Sequence, residues 1–164
     1  MSKKFHKRPS IQAAGTLFLS TQTKRFLLLL RDDDSYSDTW ATVGGRAEVG
    51  ETVIESLSRE IIEEIGFLPL VRKTIPIDLF VSNDKKFEFH TFICLVDKEF
   101  IPTLNNEHKS YAWCSIDGFP RPLHPALRNA LKNQALKTKI ENVLTLLEVS
   151  DTDELIEVNR FIIR

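Results

Sequence analysis

Apolar residues in this chain of 164 residues fall into runs with two different periods. Residues 10 to 20 and 25 to 31 are apolar runs separated by a short polar segment, which predicts a β-hairpin buried on at least one side. Residues 68 to 82 and 86 to 98 are also rich in β-forming side chains around a polar turn, and we expect a further strand over residues 111 to 116. Together these segments predict a β-sheet.

One segment, residues 53 to 65, has instead the period of an amphipathic helix. Thr52 and Glu55 form a capping-box pattern at its start, and Gly66 can adopt the left-handed conformation that ends a helix. At about 100° per residue, one arc carries apolar side chains that we expect to be buried, namely Ile54, Leu57, Ile61 and Ile65. A neighbouring arc carries the carboxylates of Glu60, Glu63 and Glu64.

The remaining pattern adds a loop and further helical segments. Polar residues 32 to 39 predict a loop, and apolar spacing after His124 predicts a helix that continues or restarts near residues 137 to 147. Residues 155 to 164 alternate partly like a strand, and a sheet edge and a homodimer contact are both open for them. Strands with one helix after the first hairpin and another near the end predict an α/β fold with a mixed β-sheet.

Composition is that of an ordinary globular protein, with 42% hydrophobic and 27% charged residues. We expect one domain over residues 10 to 149, after a flexible tail (1 to 9) and before a C-terminal extension (150 to 164) of unknown packing. A net charge of −1 gives no electrostatic argument for binding long nucleic acid. Binding of small phosphorylated substrates is still compatible with it. Cys94 and Cys114 lack metal-binding spacing, which indicates free thiols and a cytoplasmic location, and no apolar run predicts a membrane segment.

The three clustered carboxylates need a stabilising partner, because like charges three and four residues apart repel by roughly 0.2–0.5 kcal/mol per pair. A hard divalent cation such as Mg²⁺ or Mn²⁺ prefers carboxylate oxygens and bridges to phosphate oxygens. Arg59 is another candidate, because it can pair with Glu55 or Glu63. A solvated acidic helix face is the usual meaning of such a run, and the glutamates by themselves favour it.

The residues around this cluster favour the cation. The segment resembles the Nudix box without a mismatch: Gly45, five residues, Glu51, seven residues, and then the run from Arg59 to Phe67. The resemblance implies a Nudix α/β/α sandwich and a pyrophosphohydrolase, dependent on Mg²⁺ or Mn²⁺, that cleaves a nucleoside diphosphate linked to another group X. Val43 stands where the family commonly has proline before the paired glycines, which we expect to alter turn rigidity rather than chemistry.

The resemblance also implies roles for individual residues. Glu63 and Glu64 are the principal metal ligands with the Gly44 carbonyl beside them, and Glu60 is a further ligand or the general base. Arg59 is a catalytic residue that, with Glu51, keeps the helix and the preceding loop in register. Gly45 and Gly66 are structural residues of the box.

Two residues outside the box are further candidates. Glu107 lies in a loop before a strand, and its surroundings resemble the region where many Nudix enzymes place an additional glutamate as metal ligand or general base. A loop glutamate without a role is the alternative. Arg31 ends the second predicted strand, and its guanidinium group would fit substrate phosphate oxygens.

The reaction follows from charge, because cations must neutralise the diphosphate and a base must activate water. The products would be a nucleoside monophosphate and phosphorylated X. We expect the substrate to be ADP-ribose, a nucleotide sugar or a dinucleoside polyphosphate. Two markers of family subgroups are absent: Asn83 replaces the proline associated with ADP-ribose enzymes, and Lys85 the tyrosine associated with dinucleoside polyphosphate enzymes. A nucleoside-triphosphate sanitising pyrophosphatase and a non-catalytic nucleotide-sensing module are the alternatives.

Overall fold

A computed structural model describes residues 11 to 162, with side chains described as far as residue 151. The predicted tail (1 to 9) therefore lies outside the described residues. Within the described part the strands are β1 (Ile11–Ser20), β2 (Phe26–Arg31), β3 (Trp40–Ala41), β4 (Val43–Arg46), β5 (Lys73–Val81), β6 (Phe87–Val96) and β7 (His108–Cys114). The α-helices are α1 (Val53–Ile65), α2 (Pro125–Ala130) and α3 (Gln134–Ile162).

Strand β1 is the centre of a mixed sheet with the order β3-β2-β1-β6-β5, in which β4 also pairs with β1 and β7 with β2. β1 runs parallel to β6 and antiparallel to β2 and β4. Residues 13 to 20 are buried, as the long apolar run of this strand predicts. The predicted hairpin and the predicted α/β class with a mixed sheet are confirmed.

Helix α1 has the predicted bounds because its end signals are local. The Thr52 hydroxyl accepts the Glu55 amide, and the Glu55 carboxylate accepts the Thr52 amide, which completes the capping box. Gly66 ends the helix in the left-handed conformation with φ 86°. Ile54 contradicts the prediction of burial: it is 51% exposed, because it lies in the first turn on the rim of an open apolar depression.

The core lies where α1 packs against the sheet. The apolar arc of α1 contributes Leu57, Ile61 and Ile65, all nearly inaccessible to solvent. They form one cluster with side chains of β1, β2, β4 and β6: Ala14, Phe18, Leu27, Leu29, Val43, Phe92, Cys94 and Val96. This packing fixes the rotation of α1, so Glu60 and Glu64 on the acidic arc lie against β4 while Glu63 stays half exposed.

Residues 125 to 164 form a compact unit separate from the unit that ends at His124. Within it, α2 and α3 are the predicted helices, and Leu136 and Ile140 are buried. The expectation of a strand over 155 to 164 is wrong as far as the backbone is described, because α3 continues to Ile162. An existing helix gains one hydrogen bond per added residue, whereas a strand needs a partner strand. Among the described helices, none is long and apolar enough to cross a membrane.

Replacing Thr52 by alanine removes one half of the capping box and leaves an amide of the first turn without its partner. We expect Thr52→Ala to lower the free energy of unfolding by about 1 kcal/mol. Urea unfolding followed by circular dichroism measures it. Val49→Ala is the control, since that side chain is fully exposed nearby. Equal effects of the two substitutions would contradict the assignment of the stabilisation to the cap.

Candidate active site

Two glycines let strand β4 approach both β1 and α1 closely. A Cβ atom on Gly44, which has φ +147°, would lie 2.1 Å from the carbonyl oxygen of Ala14 on β1. A Cβ atom on Gly45 would lie 2.5 Å from the carboxyl carbon of Glu60 on α1. Glycine at both positions therefore brings the backbone of β4 into contact with the acidic arc of the helix.

Glu64 is the buried member of the acidic arc. It is 4% exposed, and its Oε2 accepts the Gly44 amide at 2.8 Å. Burial raises its pKa to about 8, and the charges of Glu60 and Glu107 add to this rise while the Gly44 hydrogen bond opposes it. Burial also raises the pKa of Glu60, against the opposing effect of Arg59. Two carboxyl groups that resist ionisation thus lie beside strand β4.

Arg59 joins the helix to the loop that precedes it. Its Nε and Nη2 donate to the two carboxylate oxygens of Glu51 at 2.8 and 3.0 Å, and Nη2 also donates to the Arg46 carbonyl. Its Nη1 donates to Glu60 at 2.9 Å and to Glu63 at 3.2 Å. The hydrogen bond from Arg59 lowers the pKa of Glu51, so this carboxylate is a stable anchor for the guanidinium group.

The remaining carboxylates lie at the open side of the arc. The Glu63 side chain is 52% exposed, and Glu107 is exposed in the loop before β7. The Glu107 carboxylate raises the pKa values of both Glu60 and Glu64, which places its charge near them. Within residues 11 to 151, no three His, Cys, Asp or Glu side chains already form a metal cage. Arg59 and the Gly44 amide bind the carboxylate oxygens instead.

His108 is a buried neighbour of this cluster that the sequence did not indicate. Its side chain is 2% exposed, and its Nε2 lies 3.9 Å from Oε1 of Glu64. Burial, followed by the charge of Arg31, lowers the His108 pKa to about 4, so the contact is not an ion pair near neutral pH. A β-bulge between Leu30 and Arg31 changes the register of β7 and pairs His108 with Arg31. Strand alternation alone therefore misplaces this residue.

Arg31 is the last residue of β2, and its side chain contacts the loop of residues 32 to 39. Its guanidinium group pairs with the Asp33 carboxylate, and its Nε lies 3.3 Å from the Ser35 carbonyl oxygen. Burial, followed by the charge of Arg31, lowers the pKa of His124, and the same charge opposes the rise in the pKa of Glu64. Arg31 is thus near the acidic cluster but paired with its own loop, and its contact with substrate stays a prediction.

Comparison with known proteins agrees with this architecture. The NUDIX domain model matches residues 9–134. The chain is 31% identical over 119 residues to the dihydroneopterin triphosphate diphosphatase of Haemophilus influenzae, covering 63% of this chain and 73% of that protein. It is 27% identical over 89 residues to the ADP-ribose pyrophosphatase of Methanocaldococcus jannaschii, covering 54% of this chain and 51% of that protein.

A solved structure shows the same fold. The crystal structure of a MutT NUDIX hydrolase from Burkholderia pseudomallei superposes with a TM-score of 0.58 at 21% identity, covering 80% of this chain and 98% of that one. The predicted Nudix α/β/α sandwich is confirmed. The chain belongs to the NUDIX family and is a Nudix hydrolase.

Glutamine in place of Glu64 would test how strongly burial opposes ionisation. The carboxyl has a higher pKa in the folded than in the unfolded protein, so rising pH from about 4.5 to 8 favours unfolding of the metal-free wild type. Glutamine does not ionise and can still accept the Gly44 amide. We expect Glu64→Gln to gain about 3 to 4 kcal/mol relative to wild type between pH 5 and pH 8, because one pKa unit corresponds to about 1.4 kcal/mol.

Urea unfolding in EDTA at the two pH values measures this difference. Glu63→Gln is the matched control, because the half-exposed Glu63 carboxylate stays accessible to solvent in the folded protein. A gain that does not change with pH, or an equal gain in the control, would contradict a buried and destabilised Glu64 carboxylate.

Proposed function

We propose that the protein is a divalent-metal-dependent pyrophosphohydrolase acting on a small nucleotide or a nucleotide-like molecule. The observation that supports this most is the buried Glu64 carboxyl, which lies beside Glu60 and near Glu107. The positive charge of Arg59 offsets part of the negative charge of these carboxylates, but Arg59 also pairs with Glu51. A carboxylate cluster with too little positive charge is the environment that a hard cation stabilises.

The donor set fits Mg²⁺ or Mn²⁺, because every candidate ligand is an oxygen. Glu63 and Glu64 would hold the ion with the Gly44 carbonyl, and Glu60 would be a third carboxylate ligand or the base. When bound, such an ion supplies positive charge to the anionic oxygens of the diphosphate.

The protein groups would then act on water and on the substrate. Glu60 or Glu107 accepts a proton from the attacking water as its oxygen forms a bond to phosphorus. The anhydride P–O bond breaks, and the leaving phosphate departs with the bonding electrons. Arg59 keeps the glutamates in place through Glu51, and Arg31 would contact phosphate oxygens if it exchanges Asp33 for the substrate.

Among substrates, we propose a triphosphate ester of the dihydroneopterin triphosphate type first and ADP-ribose second. The diphosphatase relative is more identical to this chain and is matched over more of its own length than the ADP-ribose relative. Nucleotide sugars, dinucleoside polyphosphates and nucleoside triphosphates are the remaining candidates from the sequence. Pyrophosphate release would distinguish a triphosphate ester from ADP-ribose, which yields two monophosphates.

A product-release assay across these compounds with Mg²⁺ or Mn²⁺ tests the activity. We expect turnover of at least one compound, and a loss of at least about 100-fold in kcat for Glu63→Gln. Removing a metal ligand should cost more than the roughly 10- to 100-fold typical of changing a residue that only hydrogen-bonds to a ligand. Glu55→Gln is the matched control, since glutamine also completes a capping box and the site is untouched. Nucleotide binding without any turnover would favour the sensing module.

Metal binding has a readout that does not depend on turnover. We expect Mn²⁺ to raise the melting temperature of the wild type, because a ligand at 100 times its Kd stabilises the folded state by about 2.7 kcal/mol. Scanning calorimetry with and without Mn²⁺ measures the increase. Glu64→Gln should lose the increase and Glu55→Gln should keep it. An equal increase in all three proteins would place the metal elsewhere.

A further inference from the structure

The side chain of Asn105 links the loop that carries Glu107 to His108, the first residue of β7. The Asn105 Oδ1 atom accepts the amide of Glu107 at 3.2 Å and lies 3.2 Å from Nδ1 of His108. The amide of His108 in turn donates to the Asn105 carbonyl at 3.3 Å. One amide oxygen therefore holds the backbone of Glu107 and the ring of His108 together.

The His108 ring connects this turn to the acidic helix. It is packed with 2% of its side chain exposed, so its orientation is fixed by its surroundings. With Nδ1–H donating to Asn105, the ring presents Nε2 to the Glu64 carboxyl at 3.9 Å. The turn is thereby placed against Glu64, the most buried carboxyl of the cluster.

The position of Glu107 depends on this backbone arrangement because its own side chain is exposed. Its carbonyl accepts the Asp32 amide at 2.7 Å, so the backbone of Glu107 is held on both sides of its Cα atom. The influence of its charge on Glu60 and Glu64 agrees with a carboxylate that lies near them. A shift of the turn by 1 Å would move this carboxylate relative to the reacting water or metal, and such shifts reduce rates by about 100-fold.

We propose that Asn105 and His108 are positioning residues that set the Glu107 carboxylate against the Glu60 and Glu64 pair, and that Glu107 takes part in the reaction. This rests on the proposed function, because it assigns Glu107 a role in that hydrolysis. Asn105 itself touches neither substrate nor metal and acts through Glu107.

A double-mutant cycle tests this with the substrate that the release assay identifies. We expect Asn105→Ala to lower kcat about 10-fold or more with little change in KM, and to have less than about a 2-fold effect when Glu107 is already glutamine. Asn105→Asp keeps an oxygen acceptor and should restore kcat to within about 3-fold of wild type. The same loss from Asn105→Ala in both backgrounds, or no rescue by aspartate, would overturn the proposal.

A second measurement does not need turnover and separates this proposal from the proposed function. Nitrogen-15 NMR of the His108 ring should show the Nδ1–H tautomer in wild type and its loss in Asn105→Ala, together with faster hydrogen exchange at the Glu107 amide. An Nε2–H tautomer in wild type, or unchanged exchange in the variant, would overturn the positioning role even in an active enzyme. These signatures in a protein that hydrolyses nothing would show the turn as drawn but remove its catalytic role.

Discussion

The hydrogen bond from the Gly44 amide to the Glu64 carboxyl joins strand β4 to helix α1, and the candidate site depends on it. Gly44 also lets β4 lie close to β1, because a Cβ atom at this position would overlap the Ala14 carbonyl. Packing around this contact removes water from the carboxyl group, and this burial raises the Glu64 pKa to about 8 although the hydrogen bond itself opposes the rise. The burial that shapes the site therefore opposes ionisation of Glu64, and the Gly44 hydrogen bond offsets only part of that cost.

The features that the sequence predicted well are those with local signals. The bounds of α1 follow from the capping box at Thr52 and from Gly66, each of which acts within one turn of the helix. The hairpin of β1 and β2 follows from two apolar runs around a short polar turn. The acidic arc follows from the helical period, and the spacing of its residues after Gly45 was enough to indicate the family.

The features that the sequence predicted poorly depend on distant parts of the chain. His108 reaches Glu64 only because a bulge shifts the register between β7 and β2. Ile54 is exposed although it shares an arc with three buried residues, because nothing covers the start of that face among the described residues. The C-terminal alternation resembled a strand, but pairing is decided by the presence of a partner, and the backbone is helical as far as Ile162.

Arg59 shows how one side chain can serve the site both with and without a cation. In the structure it pairs with Glu60 and Glu63, which would also bind a cation under the proposed roles. Its contacts with Glu51 and the Arg46 carbonyl lie outside the cluster and would persist if those two carboxylates turned to a metal. The guanidinium group would then stay paired, so metal binding need not leave a partly buried charge without a partner. Glu51 therefore matters to the cluster although it lies on the loop rather than on the acidic arc.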